Sequence, residues 1–447
     1  MLKTVDVILE SNPTSFDVLK TRVDDLAQKE NPPLSGVPRY VRLKKIQHLH
    51  FMSLQIFEDP HYDPLLVFEN NYDGDCDAYW AAVETEIGDD LRAILACTKP
   101  AIEPRWTAVF ANGSKIPLAD FLKAYSVGPS ALHIGATGLT IDRIQRERQL
   151  SDDIEAYLGA EAVPFGGKSP AAMHAELRRW ALPKYSWLGE TEARRTLGEW
   201  ISYILAAIPW ALAVLIPLAL LIYLVVELWP VPGLIVLACS LAPLGVLPIV
   251  LRHIEKTDLT QENPQLSPTQ LATFAKQEDQ IVQNHLASMV LVKPGVLRSV
   301  AIRVSLALLK RFVPIVAANG YLGSMRTIHF AHWTLVGNQG RLLFLSNFDG
   351  SWQSYLDDFV DKAHGGLTLA WTNCVGFPRT RWLVQDGATH GHDFKAWARQ
   401  SQTVSSLWYS AYPDMTVNQV LRNADVADGL RKRSVSSEEA VQWAKLL

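Results

Sequence analysis

Cysteine is the first scarcity: the 447 residues hold four, Cys76, Cys97, Cys239 and Cys374, with no C-x-x-C pair among them. That excludes a disulfide framework and a Cys-rich zinc module, and it points to a reducing compartment. An excess of either charge is missing too, since 42 Lys and Arg stand against 46 Asp and Glu. A net charge of −4 excludes a dominantly polybasic nucleic-acid binder. The chain has no P-loop, no G-x-G-x-x-G, no G-x-S-x-G and no H-E-x-x-H, which argues against the commonest nucleotide, esterase and zinc-protease readings. The N-terminal stretch Met-Leu-Lys-Thr-Val-Asp has no extended apolar region, so no cleavable signal peptide is expected.

The most informative absence is local. No charge occurs in the 26 residues from Ile201 to Val226, nor in the 24 from Leu228 to Leu251. Each run exceeds the roughly 20 residues that cross a hydrocarbon core. Between them, Glu227-Leu-Trp-Pro-Val-Pro232 combines a charge, an interfacial aromatic and two prolines, as a tight turn at a membrane surface would. The expectation is a two-helix transmembrane hairpin over 200–252. Arg194 and Arg195 precede it, Arg252, His253 and Lys256 follow it, and the turn has no positive charge. The positive-inside bias then places both large flanking regions on the cytoplasmic side of an inner membrane.

An internal repeat brackets that hairpin. Leu66-Val-Phe-Glu-Asn-Asn-Tyr-Asp-Gly74 aligns without gaps on Leu342-Leu-Phe-Leu-Ser-Asn-Phe-Asp-Gly350. His50-Phe51 matches His329-Phe330, Arg105-Trp106 matches Arg381-Trp382, and Asp120-Phe121 matches Asp393-Phe394. So many ordered matches indicate duplication. Each copy reads as β-α-β-β-α-β, the ferredoxin-like order, with strands expected near Arg105–Ala111 and Ala131–Ala136 late in the first copy. The predicted fold class is α+β: two tandem ferredoxin-like repeats closing into a pseudo-two-fold barrel, with the hairpin inserted between them. Repeat 1 covers 1–160, a linker 161–199, a second linker 253–280, and repeat 2 covers 281–447. Within repeat 2, the apolar stretch 296–316 with Arg303 and Lys310 on one face fits an interfacial helix or, equally, a buried helix whose cations reach the surface.

The duplicated Asn-aromatic-Asp-Gly, ending at Asp73-Gly74 and Asp349-Gly350, lies at a strand-to-helix junction. Helix capping accounts for it in the first instance, and chemistry in the second. Among 12 histidines, His329 is singled out by its partner His50 and its place at a strand start. The second half also concentrates Trp333, Trp352, Trp371, Trp382, Trp397 and Trp408 near Arg379 and Arg381, a set that suits either an aromatic pocket with cationic handles or a core.

The duplicated unit with an Asp-Gly at a strand end in each half resembles the dimeric α+β barrel superfamily. Its duplicated members include dye-decolorizing peroxidases and chlorite-dismutase-like haem proteins. Of the peroxidase pattern G-x-x-D-G the chain keeps Asp73-Gly74 and Asp349-Gly350, with Asn70 and Ser346 where the first glycine would stand. The resemblance implies haem, with His329 as axial ligand to the metal and Asp349 and Arg381 as the catalytic acid-base and cationic groups. Two functions follow as expectations. One is a membrane-anchored, haem-dependent peroxidase-like oxidoreductase acting on peroxides such as lipid hydroperoxides. The other is a non-enzymatic lipid-binding or scaffold protein. Membrane lipids are the expected partners, with a homo-oligomer or a partner membrane protein left open, and no nucleic acid.

Overall fold

The computed structural model describes residues 2–31, 40–59, 62–160, 168–190, 192, 194, 197–258, 267–316, 325–337 and 340–447. The first half runs β1 (Leu2–Glu10), α1 (Phe16–Glu30), β2 (Leu49–Phe57), β3 (Leu65–Asp73), α2 (Cys76–Leu95), α3 (Ala119–Ala124), β4 (Ser126–Val127), β5 (Ala131–Ile134), α4 (Ile141–Gly159) and α5 (Pro170–Ala181). Two long helices follow, α6 (Leu197–Glu227) and α7 (Val231–Thr257), then α8 (Pro268–Ala275). The second half runs β6 (Gln283–Leu291), α9 (Val296–Val316), β7 (Ile328–Val336), β8 (Arg341–Asp349), α10 (Trp352–Lys362), α11 (His364–Trp371), β9 (Thr380–Arg381), β10 (Gln385–Asp386), α12 (Gly391–Gln400), β11 (Gln402–Thr403), β12 (Ser405–Ser410), α13 (Val417–Arg431) and α14 (Ser437–Ala444).

The fold is α+β with antiparallel sheets, compatible with a ferredoxin-like arrangement. One five-stranded sheet has the order β12-β2-β3-β1-β4 and the other β11-β6-β8-β7-β5. Within each, four strands of one half keep the ferredoxin-like order, and the fifth comes from the other half. β12 pairs with β2, Ser410 opposite Phe51, while β5 pairs with β7, Ala131 opposite Trp333. The strand expected at Ala131–Ala136 therefore exists but crosses to the second sheet, and the short β4 fills its place in the first. Residues 105–111 form turns rather than the expected strand.

Exchange requires close backbone approach. A Cβ on Gly135 would lie 2.1 Å from the Ile328 carbonyl oxygen, so only glycine lets the chain leave β5 beside β7. Every residue of β2 and of β3 is buried, because helices cover one face of the sheet and the second sheet covers the other. Leu54, Leu66 and Phe68 pack under α1 and α2. On the opposite face, Leu65 and Val67 meet Leu343 and Leu345 of β8. A separate layer joins α4, α5, α13 and α14 around Leu177, Leu430 and Trp443, so much of the stretch between 161 and 199 belongs to the body.

By length and composition, one helix among the described residues, α7, is long and apolar enough to cross a membrane. Among the described residues α6 supplies only a shorter apolar helix, Ala211–Glu227, so the two-span hairpin expected from sequence is not shown. Both helices present large apolar side chains outward, among them Leu215, Ile222, Ile235 and Ile249. Gly233 lets α7 meet the end of α6, since a Cβ there would lie 2.5 Å from the Val225 carbonyl oxygen. At its far end α7 is gripped by the body: buried Glu255 accepts from the Trp382 and Leu383 backbone N–H groups at 3.0 and 2.7 Å. α9 divides its faces, with Ile302 and Leu306 in the core and Val300, Val304 and Phe312 exposed.

Candidate functional site

Each half contains the same clasp. The ladders β2–β3 and β7–β8 are both interrupted by a bulge, at His50 and at His329. The His329 Nε2–H donates to Asp349 Oδ1 at 2.7 Å, and Asp349 Oδ2 accepts the Val417 N–H at 2.7 Å. His50 Nε2 likewise lies 3.2 Å from Asp73 Oδ2, which accepts the Ile141 N–H at 2.8 Å. Ile141 and Val417 open α4 and α13, the helices that follow the exchanged strands. The duplicated Asp does not cap a helix as expected: it accepts the first N–H of a distant one, and α4 and α13 are capped by Thr140 and Thr416. The helices next in the chain are capped by Asp75 and Ser351 instead. Burial alone would raise Asp73, but His50 and the Ile141 N–H hold it below the usual carboxylate range. Burial also keeps His50 below the usual imidazole range.

The two clasps meet where His50 faces Phe330 (5.6 Å) and Phe51 faces His329 (5.3 Å). Symmetry ends at His48, whose Nδ1 lies 2.6 Å from Asp73 Oδ1, and at Tyr412 and Gln283. The Tyr412 hydroxyl lies 3.0 Å from His50 Nδ1, and Gln283 Nε2 lies 3.2 Å from His329 Nε2. His329 is 2% exposed, and the ring nitrogen that would bind iron is already engaged by Asp349. Arg381 sits elsewhere, on the exposed β9–β10 ribbon, 3.7 Å from Asp386. The structure joins His329 with Asp349 but brings Arg381 to neither, so these three residues do not fit the axial and distal groups of one haem. Trp382, aligned with Trp106 by sequence, is exposed with φ +58°, whereas Trp106 packs on Phe121. Trp333, Trp371 and Trp397 are core, and His390 and His392 are solvated. Among the described residues no group of three His, Cys, Asp or Glu could hold a metal.

Between the sheets lies a second polar assembly that sequence reading missed. Glu69 is fully buried and accepts from Ser53 Oγ (2.6 Å), Asn71 Nδ2 (2.7 Å), Asn347 Nδ2 (3.0 Å) and His285 Nε2 (2.9 Å). Asp6 accepts from His332 Nε2 at 3.0 Å and from Thr334 Oγ1 at 2.8 Å. Register makes the halves' division of labour explicit. The Asp6–Glu69 pair of β1–β3 corresponds to Ala287–Leu345 in β6–β8, while His285 and His332 correspond to Thr4 and Ser53. One half supplies the carboxylates and the other the imidazoles. Burial would raise Glu69, but His285, His332 and Ser53 outweigh it and bring it down to about 2. His332 is raised, burial notwithstanding, by Asp6. The one signal in the sequence was Glu69 itself, a charge inside an otherwise apolar strand start.

This assembly reaches solvent through a cavity of about 230 Å³ whose walls include Tyr40, Phe274, Gln283, His285, Ser405 and Trp408. Ser405 Oγ lies 2.7 Å from His285 Nδ1. Trp408 stacks on His285 at 6.0 Å and donates its indole N–H to Asn347 Oδ1 at 2.8 Å, fixing the imidazole plane. A bulge leaves Ser406 without a cross-strand partner between Ser405, opposite Gln55, and Leu407, opposite Leu54. Comparison with family models, with curated proteins and with solved structures finds no match to this chain.

Proposed function

We propose that this protein is a membrane-anchored binding module: a pseudo-two-fold α+β barrel held on the cytoplasmic face by α6 and α7, with the cavity beside His285 as its ligand site. The observation that carries the reading is the strand exchange. Because β12 pairs with β2 and β5 with β7, the two halves must share one side of any bilayer. If α7 enters the membrane, α6 must bring the chain back, so the spans come as a pair. Its 31 residues, about 46 Å of helix, are long enough to do so. Outward Leu, Ile and Val side chains on both helices favour insertion, at roughly 25 cal/mol for each Å² withdrawn from water. Arg194 and Arg252 flank the pair on the body's side, which supports a cytoplasmic body. Tyr40, Phe274 and Trp408 with neighbouring amides suit a small, neutral, partly apolar ligand. Kinship with the dimeric α+β barrel superfamily is consistent with the strand order, and haem-dependent peroxidase chemistry ranks second because His329 and Asp349 are already committed to α13. Alkaline carbonate washing of membranes from expressing cells tests the anchor. The protein is expected to remain with the pellet, and release into the supernatant would contradict it.

A further inference from the structure

Ser405, His285 and Glu69 form a linear relay that a binding module does not need. Glu69 is ionised and accepts from His285 Nε2, so the imidazole proton sits on Nε2 and the lone pair on Nδ1, where it takes the Ser405 hydroxyl proton. The ring nitrogens are used in the opposite sense to the serine-protease triad, but the requirement is the same: a carboxylate fixes one imidazole N–H so that the other nitrogen can act as base. His285 and Glu69 are essentially inaccessible, whereas Ser405 is half-buried and lines the cavity. Gln55, opposite Ser405 in the ladder, is fully buried, and neither atom of its amide has a hydrogen-bond partner among the described residues. That amide faces Ser405 across the ladder but does not itself line the cavity.

We infer that Ser405 is a nucleophile for acyl transfer from small neutral carboxylic esters, with His285 as general base and acid and Glu69 as its positioning residue. The Ser405 Oγ–acyl bond forms as its proton passes to His285 Nδ1. The ester C–O bond then breaks, and the leaving alcohol takes that proton. Water attacks the acyl-serine, gives a proton to Nδ1, and releases the carboxylic acid as Ser405 regains its hydroxyl. Ester and water thus become acid and alcohol, with no other co-reactant. The inference stands independently of the membrane anchor.

The test treats full-length, detergent-solubilised protein with an alkyl fluorophosphonate, maps the adduct by peptide mass spectrometry, and measures hydrolysis of p-nitrophenyl butyrate. The expected result is one adduct, on Ser405, with ester hydrolysis at least 100-fold slower in Ser405→Ala. Ser405→Cys, which keeps a nucleophile of similar size, should still form an acyl adduct. Glu69→Gln should move the pH profile of labelling as well as its rate, which loss of packing alone would not do. Absence of an adduct on the wild-type protein, an adduct on Ser406 or elsewhere, or wild-type hydrolysis by Ser405→Ala would overturn the inference.

Discussion

His50 and His329 occupy the same bulge in the two halves, each bonded to the aspartate that holds the first N–H of the helix after an exchanged strand. This relationship ties duplication, exchange and helix start into one device. A histidine and an Asp-Gly recur 23 residues apart in one half and 20 in the other because each half must clasp the element that crosses to its partner sheet.

If Asp349 serves that clasp, Asp349→Ala strands the buried His329 imidazole and the Val417 N–H. A loss of about 2–4 kcal/mol in denaturant unfolding is expected, with a loss of the same order for Asp73→Ala. An unchanged unfolding midpoint for Asp349→Ala would free that residue for chemistry and revive the haem reading.

The duplication was legible because the clasp is made of rare, short-range signals: histidine-aromatic pairs and Asp-Gly ends at matching spacing. The exchange was not legible, since Ala131–Ile134 fits the edge of either sheet and only the geometry around Gly135 decides. The inter-sheet site was invisible for a different reason. Asp6, Glu69, His285 and Ser405 are spread over 400 residues, and the register that assembles them comes from the pairing of strands in three dimensions.

Gly135 offers a direct check on the exchange. Gly135→Ala should destabilise by about 2 kcal/mol or more, because backbone of β7 must move to admit the methyl group. Gly128→Ala, with nothing within 4 Å of the added carbon, is the matched control and should unfold nearly as wild type. Equal behaviour of the two variants would argue against the crossing of β5.

A pH response follows from His133. It is fully buried, both ring nitrogens lack partners among the described residues, and burial brings it down to about 4. The unfolded chain takes up the proton near pH 6.5 and the folded chain only near 4, so stability is full above pH 6.5 and falls as pH drops toward 4. A loss of up to about 3 kcal/mol is expected across that window. His133→Leu should flatten the dependence there. A slope unchanged by His133→Leu would assign the effect to other groups.

At the other extreme, removal of Glu69 should be the costliest change in the body. Glu69→Ala leaves His285, Ser53 and two asparagine amides without their acceptor, and about 3–5 kcal/mol is the expected loss by thermal or chemical unfolding. A loss below about 1 kcal/mol would show that the inter-sheet network does not hold the halves together.

Cys239 lies within the apolar run of α7, exposed on the isolated protein, while Cys97 and Cys374 are buried in the body. The most direct measurement is its reaction with a membrane-impermeant maleimide in Cys76→Ser protein, in sealed vesicles, in opened vesicles and after SDS. The account predicts no labelling of Cys239 until SDS removes the bilayer. Rapid labelling in intact or opened vesicles would show that α7 lies in water and would contradict the anchor.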